Sequence, residues 1–316
     1  MSGHVILFSY YRAFADVRRV RINLCRIRYA GVGCGRIMAY NPESGIDGRT
    51  PASEGGMETG YDIEGKTALV TGANRGIGRA IAEAFLRHGA GRVYAAVREP
   101  EAARPLVERH GDRVVPLRLD LTLPGTIAEA AESARDVQVV VNNAGVFIAA
   151  TVLEDGALDA LEQGIEVNVR GLVRMAQAFA PILAANGGGA FVQINSVAAL
   201  KCAPGFATHS ASKAAAYAIT QALRDAMGRH GTAVLSVHPG LIATGMSAAA
   251  GLAGAAAPPA LVGEGIVEAL RRGDFHLFPD AMARRVGEAY RQFAREVVEA
   301  DIEEYQPGQL RGGAPS

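Results

Sequence analysis

The sequence predicts an α/β fold: a single doubly wound parallel sheet with helices on both faces. Three observations predict it. From Lys66 onward, short apolar runs rich in β-branched residues alternate with helical patterns, the order that builds a parallel sheet covered on both sides. The run 137–141 is almost continuously apolar, as a strand buried on both faces requires. Three glycines, Gly72, Gly76 and Gly78, fall where the first apolar run gives way to the first helical pattern, a placement that gives their spacing its meaning.

Taken in order, residues 66–71 form the first strand, with Val70 and Thr71 β-branched at its end. A helix over about 76–88 follows, with Ile81, Phe85 and Leu86 apolar. Residues 92–97 form the second strand and about 100–110 its helix. Residues 113–119 form the third strand, followed by a helix near 124–134. The fourth strand is 137–141. A long helical stretch runs from about 155 to 185 and stops at Asn186-Gly187-Gly188-Gly189, where glycines end helical order. The fifth strand is 190–194, its helix about 208–229, and the sixth strand 233–237. Residues 243–263 read as a mobile loop, because Gly245, Gly251, Gly254, Pro258 and Pro259 break any regular element. A helix near 261–272 leads to a short seventh strand at 275–278. Residues 281–298 carry an amphipathic helical pattern, and 301–316 form a tail. No internal repeat is present.

Composition bounds the function. A chain of 316 residues, 49% hydrophobic, suffices for one α/β domain of about 250 residues with some chain to spare. Lysine plus arginine and aspartate plus glutamate both number 32, so no whole-chain field favours nucleic acid. Up to Arg36 the chain has seven arginines and one acid, Asp16, and 41–60 is rich in Gly, Ser, Pro and Glu. Residues 1–60 therefore read as a basic, disordered extension ahead of a domain at 61–300. The basic start matches the composition of an organelle transit peptide; the favoured reading starts translation at Met57, just ahead of the first strand. The arginines have no aromatic interleaving, which argues against a nucleic-acid partner. Cys25, Cys34 and Cys202 form no CxxC and no metal spacing. That predicts no metal and suits a reducing, cytoplasmic compartment. No run of 18 strongly apolar, charge-free residues exists, so no membrane helix is expected.

The glycine turn carries the first chemistry. A glycine at the strand end makes the tight turn, and the later ones let a pyrophosphate approach the backbone and the helix pack on the sheet. Free N–H groups at the helix start and the helix dipole favour the anion. The spacing is Gly-x3-Gly-x-Gly, and the loop Thr71-Gly-Ala-Asn-Arg-Gly-Ile-Gly78 resembles the cofactor loop of the short-chain dehydrogenases/reductases. Other stretches resemble that family's motifs in the family's order: Asp120-Leu121 after the third strand, Asn142-Asn143-Ala144-Gly145 after the fourth, and Pro239-Gly240 with Thr244 after the sixth. The resemblance covers roughly 62–280. It implies a Rossmann-like fold and a cofactor site built from Gly72, Asn74, Arg75, Gly76, Ile77, Gly78, Asp120, Leu121, Asn143, Ala144, Gly145, Lys213, Pro239, Gly240, Ile242 and Thr244. Within it, Asp120 would contact the adenine and the Pro239–Thr244 stretch the nicotinamide amide.

The end of the second strand selects the cofactor. An acid there would bond the ribose 2′-hydroxyl, but Val97 holds the place and Arg98 follows, twenty positions beyond Gly78. Arginine takes a 2′-phosphate through charge-assisted hydrogen bonds, and Arg75 adds a second cation. The expected cofactor is NADP(H).

The family's catalytic group is matched at three positions of four. Ser196 fits the serine after the fifth strand, Asn168 the helix asparagine, and Lys213 the lysine of the Tyr-x-x-x-Lys helix. Four residues before Lys213 stands His209. Hydride addition to a carbonyl leaves an alkoxide that needs a proton. In the family a lysine cation lowers the pKa of the tyrosine phenol so that it can supply that proton. The i, i+4 spacing keeps position 209 and Lys213 on one helix face. Imidazole ionises near about 6.5 and phenol near about 10, and the lysine cation disfavours imidazolium. Imidazole is also shorter, and about 1 Å of misplacement costs on the order of 100-fold. Tyr217, one turn past Lys213, is a conceivable replacement, though packing against another helix is the favoured reading. His238 and His276 fit no motif and read as structural or solvated.

The implied function is NADP(H)-dependent interconversion of a carbonyl and an alcohol by hydride transfer. Ser196 would bind the substrate oxygen, Lys213 the nicotinamide ribose and Asn168 a relay water, with His209 an atypical or impaired proton donor. The alternative is a catalytically silent NADP(H)-binding protein. The apolar regions 147–160 and 243–263 would line the substrate pocket. Pairing of the long helices implies a homodimer or homotetramer, with Tyr217 and Leu223 offering contacts beyond their own sheet.

Overall fold

The computed structural model describes residues 60–249 and 256–300. The extension at 1–59, Met57, the tail at 301–316 and residues 250–255 lie outside the described residues, and so do the expectations placed on them. The described chain builds a seven-stranded sheet in the order β3-β2-β1-β4-β5-β6-β7. The strands are β1 (Thr67–Thr71), β2 (Arg92–Val97), β3 (Val114–Arg118), β4 (Val139–Asn142), β5 (Gly189–Ile194), β6 (Thr232–Val237) and β7 (His276–Leu277). Every pairing is parallel. Strand order reverses between β1 and β4, with Ala68 opposite Val139 and Val70 opposite Val141. That reversal is the crevice where sheets of this kind bind ligands.

The helices cover both faces because each carries an apolar stripe. On one side, α1 (Gly76–Arg87) and α8 (Ala260–Arg272) bury Ile81, Phe85, Val262, Ile266 and Leu270 against Val70, Val139 and Val192. These two helices meet closely: a Cβ on Gly263 would lie 2.7 Å from the Ala80 carbonyl oxygen. Short helix α2 (Arg104–His110) lies on this side as well, with Leu106 in the same core. On the other side, α3 (Pro124–Ser133), α5 (Gly171–Ala185) and α6 (Ala207–Gly228) bury Ile127, Leu172, Phe179 and Ala216 against Leu69, Val140 and Phe191. Pro116 is tolerated inside β3 because that strand lies at the sheet edge.

Several predicted boundaries shift. The stretch expected as one helix over 155–185 begins at Ala157 as α4 (Ala157–Ile165). It passes through a single wide turn at Glu166–Arg170 and continues as α5. The wide turn carries Asn168, and such turns in helices often mark functional positions. The expected loop 243–263 is partly ordered: Gly245–Ala249 forms α7, Ile242 bridges Ala257 in parallel, and α8 begins at Ala260. After β7 come helix α9 (Ala281–Phe293) and a wide turn at Ala294–Val298. Among the described residues no helix is long and apolar enough to cross a membrane, and no cluster of three or more His, Cys, Asp or Glu could hold a metal.

Candidate active site

The glycine turn is shaped as its spacing requires. Gly72 and Gly76 have φ of 67° and 54°, values that L side chains adopt only with strain. Gly78 is needed for space: a Cβ there would lie 2.3 Å from the Gly72 carbonyl oxygen and 2.5 Å from Asn143 Nδ2. Helix α1 opens with no side-chain cap and no acid in its first turn, so its first N–H groups remain available to an anion. Thr71 ties this turn to the loop after β4. Its hydroxyl accepts from the N–H groups of Asn143 and Ala144, both at 2.9 Å, and Asn143 Nδ2 donates to its carbonyl at 2.8 Å. Arg75, Gly76 and Thr244 converge from the other side. A Gly76 Cβ would meet Thr244 Cγ2 at 3.2 Å, and a Gly245 Cβ would lie 4.0 Å from the Arg75 guanidinium. A cavity of ≈620 Å³ adjoins this corner, lined in part by Gly76, Thr244 and Ser247. A pyrophosphate cofactor fits these features: open N–H groups, a glycine turn and a nearby guanidinium.

Arg98 stands exposed just beyond β2. Asp120 accepts from the Thr122 N–H at 2.9 Å and the Thr122 hydroxyl at 2.7 Å. Burial opposes its ionisation, but the Thr122 bonds together with Arg98 and Arg118 outweigh that and hold its carboxyl below the usual range. Leu121 is buried, packed on Gly171. Ile77 is partly buried on the core beside α1, Ile242 is buried, and Asn74 is partly exposed in the glycine turn.

The reaction end gathers where the loops after β4 and β5 meet α6. Lys213 is buried, and its ammonium donates to the Ile194 carbonyl at 2.9 Å. Burial lowers its pKa to about 8. A Cβ on Gly145 would lie 2.8 Å from Asn168 Oδ1 and 3.8 Å from Lys213 Nζ, so only glycine fits between them. Asn168 accepts from the Val146 N–H at 3.0 Å. It donates to the Val146 carbonyl at 3.1 Å and to Ser212 Oγ at 3.0 Å. Both amide hydrogens are thus committed and one Oδ1 lone pair remains. Ser196 Oγ accepts from the Ala198 N–H at 3.1 Å and donates to the Pro239 carbonyl at 3.5 Å.

His209 lies in the first turns of α6, 8% exposed, its ring centroid 4.7 Å from that of Phe147. Phe147 in turn meets Phe206 edge-on at 5.3 Å. His209 Nδ1 is enclosed without a hydrogen-bond partner. Burial first, then the Lys213 cation, lower its pKa to about 4, against a smaller opposing contribution from the Val146 backbone. The imidazole is therefore neutral at pH 7.

Tyr217 corrects one expectation. It is 4% exposed, and its hydroxyl contacts His276 Nε2 at 2.6 Å and the Tyr290 hydroxyl at 3.1 Å. It packs inward on β7 and α9, so it neither offers an outward contact nor has a free hydroxyl for proton supply. The bulky ring is drawn inward by the aromatic pocket of His238 and His276. Leu223 does line a shallow groove of ≈560 Å³ between α5 and α6, with Ala176, Ala180 and Ile219. His238 and His276 are structural. His238 contacts the Ser236 hydroxyl at 2.8 Å and the Ser196 carbonyl at 3.1 Å, and His276 pairs with Glu299 at 2.9 Å. Sequence reasoning gave no role to Phe206 or Thr71, and it placed Phe147 only within the apolar region 147–160. Thr71 had a usable signal, as the polar residue ending an apolar strand just before the glycine turn.

An all-parallel doubly wound sheet with a glycine turn and uncapped helix N–H groups at its reversal, beside a lysine, a serine and an asparagine, is the layout of a nucleotide-binding oxidoreductase. Residues 66–253 match the short chain dehydrogenase family model, and the chain belongs to that family. It is 35% identical over 185 residues to a sorbitol dehydrogenase from Cereibacter sphaeroides, covering 57% of this chain and 72% of that one. It is also 35% identical over 190 residues to an L-rhamnose 1-dehydrogenase (NAD(P)(+)) from a Sphingomonas species, covering 58% and 74%. A short chain dehydrogenase from Burkholderia cenocepacia, solved in complex with NADP, superposes with a TM-score of 0.68 at 35% identity, covering 76% of this chain and all of that one.

Proposed function

We propose that this chain is an NADP(H)-dependent oxidoreductase that interconverts a carbonyl and an alcohol, with an atypical or impaired proton donor. The reading is carried by the pairing of a glycine turn with open helix N–H groups on one side and an imidazole whose charged form is suppressed on the other. The glycine turn, Arg98, Asp120, the Asn143–Gly145 loop and Pro239–Thr244 would hold the dinucleotide. When bound, it supplies or accepts the hydride. Ser196 would hold the substrate oxygen by its hydroxyl, and Lys213 would bond the nicotinamide ribose and favour an oxyanion electrostatically. Asn168 would hold a relay water with the one acceptor site its side chain has left. His209 would give or take a proton only weakly at neutral pH, because its charged form is disfavoured. Phe147, Phe206 and His209 present aromatic surface, which favours an apolar substrate. The protein is proposed to work in the cytoplasm, without nucleic-acid, metal or membrane partners.

The second reading, a silent NADP(H)-binding protein, is favoured by the enclosed, unpartnered Nδ1 of His209. One experiment separates the two: NADPH binding measured alongside NADPH oxidation with a panel of ketones and aldehydes. Binding with turnover supports the enzyme, binding alone the silent protein, and no binding sinks both. Arg98→Ala should remove most of the preference for NADPH over NADH, by about 1.5–3 kcal/mol for a charged hydrogen bond. Equal affinity for the two cofactors in the unmutated protein would refute NADP selectivity.

A further inference from the structure

We infer that Asp280 is a positioning residue of the cofactor site, and that it makes helix α9 part of that site. The inference rests on the cofactor reading above, in which the Pro239–Gly240 loop meets the nicotinamide end. The geometry centres on one peptide unit. The Pro239 carbonyl accepts from the Val197 N–H at 3.0 Å and from the Ser196 hydroxyl at 3.5 Å. The N–H on the other side of the same rigid plane, that of Gly240, donates to Asp280 Oδ2 at 2.6 Å. The plane is therefore clamped from both edges, toward Ser196 by its oxygen and toward Asp280 by its nitrogen. Without the second clamp it can rotate, taking with it the group that holds the Ser196 hydroxyl.

Asp280 is built for the purpose. It is 2% exposed, and a buried carboxylate is tolerated only when its oxygens are bonded. Oδ1 accepts from the Ala283 N–H at 3.0 Å, capping α9, so both oxygens are used. The approach is so close that only glycine fits opposite. A Cβ on Gly240 would lie 2.6 Å from Asp280 Oδ1 and 3.1 Å from Met282 Cβ. Gly240 is thus explained by contact with the carboxylate and not by a left-handed backbone. Helix α9 is also held to the helix bearing His209 and Lys213 through the Tyr290–Tyr217 contact at 3.1 Å. The Asp280 bond is therefore anchored at its far end.

The test uses the full chain and two ligands, NADPH and adenosine 2′,5′-bisphosphate. The second carries the adenine and 2′-phosphate but no nicotinamide. Calorimetry on Asp280→Ala should give NADPH binding weaker by about tenfold or more, the weight of a charged hydrogen bond, with adenosine 2′,5′-bisphosphate unchanged. Asp280→Asn, which keeps one acceptor, should give a smaller loss of the same kind, and it decides the matter if the alanine variant does not fold. Unchanged NADPH affinity in the variants overturns the inference, leaving Asp280 a helix cap. Parallel weakening of both ligands also overturns it, since that marks general loss of structure. Failure of the unmutated protein to bind either ligand overturns the cofactor reading itself, and the inference with it.

Discussion

His209 sits where its surroundings suppress the charge that a proton donor needs. Its Nδ1 lacks a partner while Ser196, Lys213 and Asn168 are all bonded. The expected outcome of His209→Tyr is a rise in turnover with a reactive carbonyl at neutral pH. General acid catalysis contributes about 10²–10⁴-fold, and a gain of at least ~10-fold is predicted. If His209 is the working acid, the native rate should fall as pH rises past about 4, and the tyrosine variant should hold its rate to higher pH. A flat or reduced rate would refute the missing-phenol account. His209→Phe then separates an adapted imidazole, where activity vanishes, from a bystander, where it persists. The same burial predicts an acid lability. Unfolded histidines bind protons near pH 6.5, whereas folded His209 and His238 resist protonation down to about 4 and about 3. The unfolded chain therefore binds more protons in this window. The stability these groups contribute is complete above about pH 6.5 and is lost as pH falls through the folded values. Urea midpoints at pH 7 and pH 5 should drop less in His209→Phe than in the unmutated protein; equal drops would refute this.

Secondary-structure elements were legible wherever their period was strong. Every expected strand is present, because parallel strands buried on both faces leave near-continuous apolar runs. What the sequence did not disclose depends on distant partners. The wide turn at Glu166–Arg170 interrupts a helix whose apolar pattern runs on through it. The pairing of Ile242 with Ala257 joins segments that look like loop. Tyr217 is directed inward by β7 and α9, which lie tens of residues away in sequence. In the candidate site, the motif residues could be proposed because their spacing is local, whereas Phe206 and Asp280 belong to no short pattern. The turn between β1 and α1 yields a prediction of its own. In Gly78→Ala the new Cβ would lie 2.3 Å from the Gly72 carbonyl oxygen, and backbone has to move to admit it. Overpacking costs about 1–3 kcal/mol, so a lower melting temperature and loss of NADPH binding are expected. Unchanged NADPH affinity would show that the turn does not hold the cofactor.

For the whole molecule, one groove bears on the expected assembly. The shallow groove between α5 and α6 is lined by Ala176, Ala180, Pro181, Ile219 and Leu223, apolar surface suited to a second copy related by a two-fold axis. The protein is predicted to be a dimer or tetramer by light scattering at micromolar concentration, and Leu223→Glu is predicted to shift it toward monomer. A monomeric unmutated protein would count against the groove as an interface.

The order of the strands also sets a timetable. Strand β1 lies beside β4, with Ala68 opposite Val139, so 71 residues separate partners at the centre of the sheet. At about 5–20 residues per second of synthesis, β1 waits on the order of 4–14 s for the neighbour that covers its other edge. Strands β2 and β3 come first, and the half-sheet they form with β1 must survive with that edge bare. Unpaired apolar edges are where nascent chains stick to one another. Slow, non-local pairing of this kind makes the yield of folded protein depend on how quickly the ribosome delivers residues 139–142, so a pause just before them should cost more than the same pause after them.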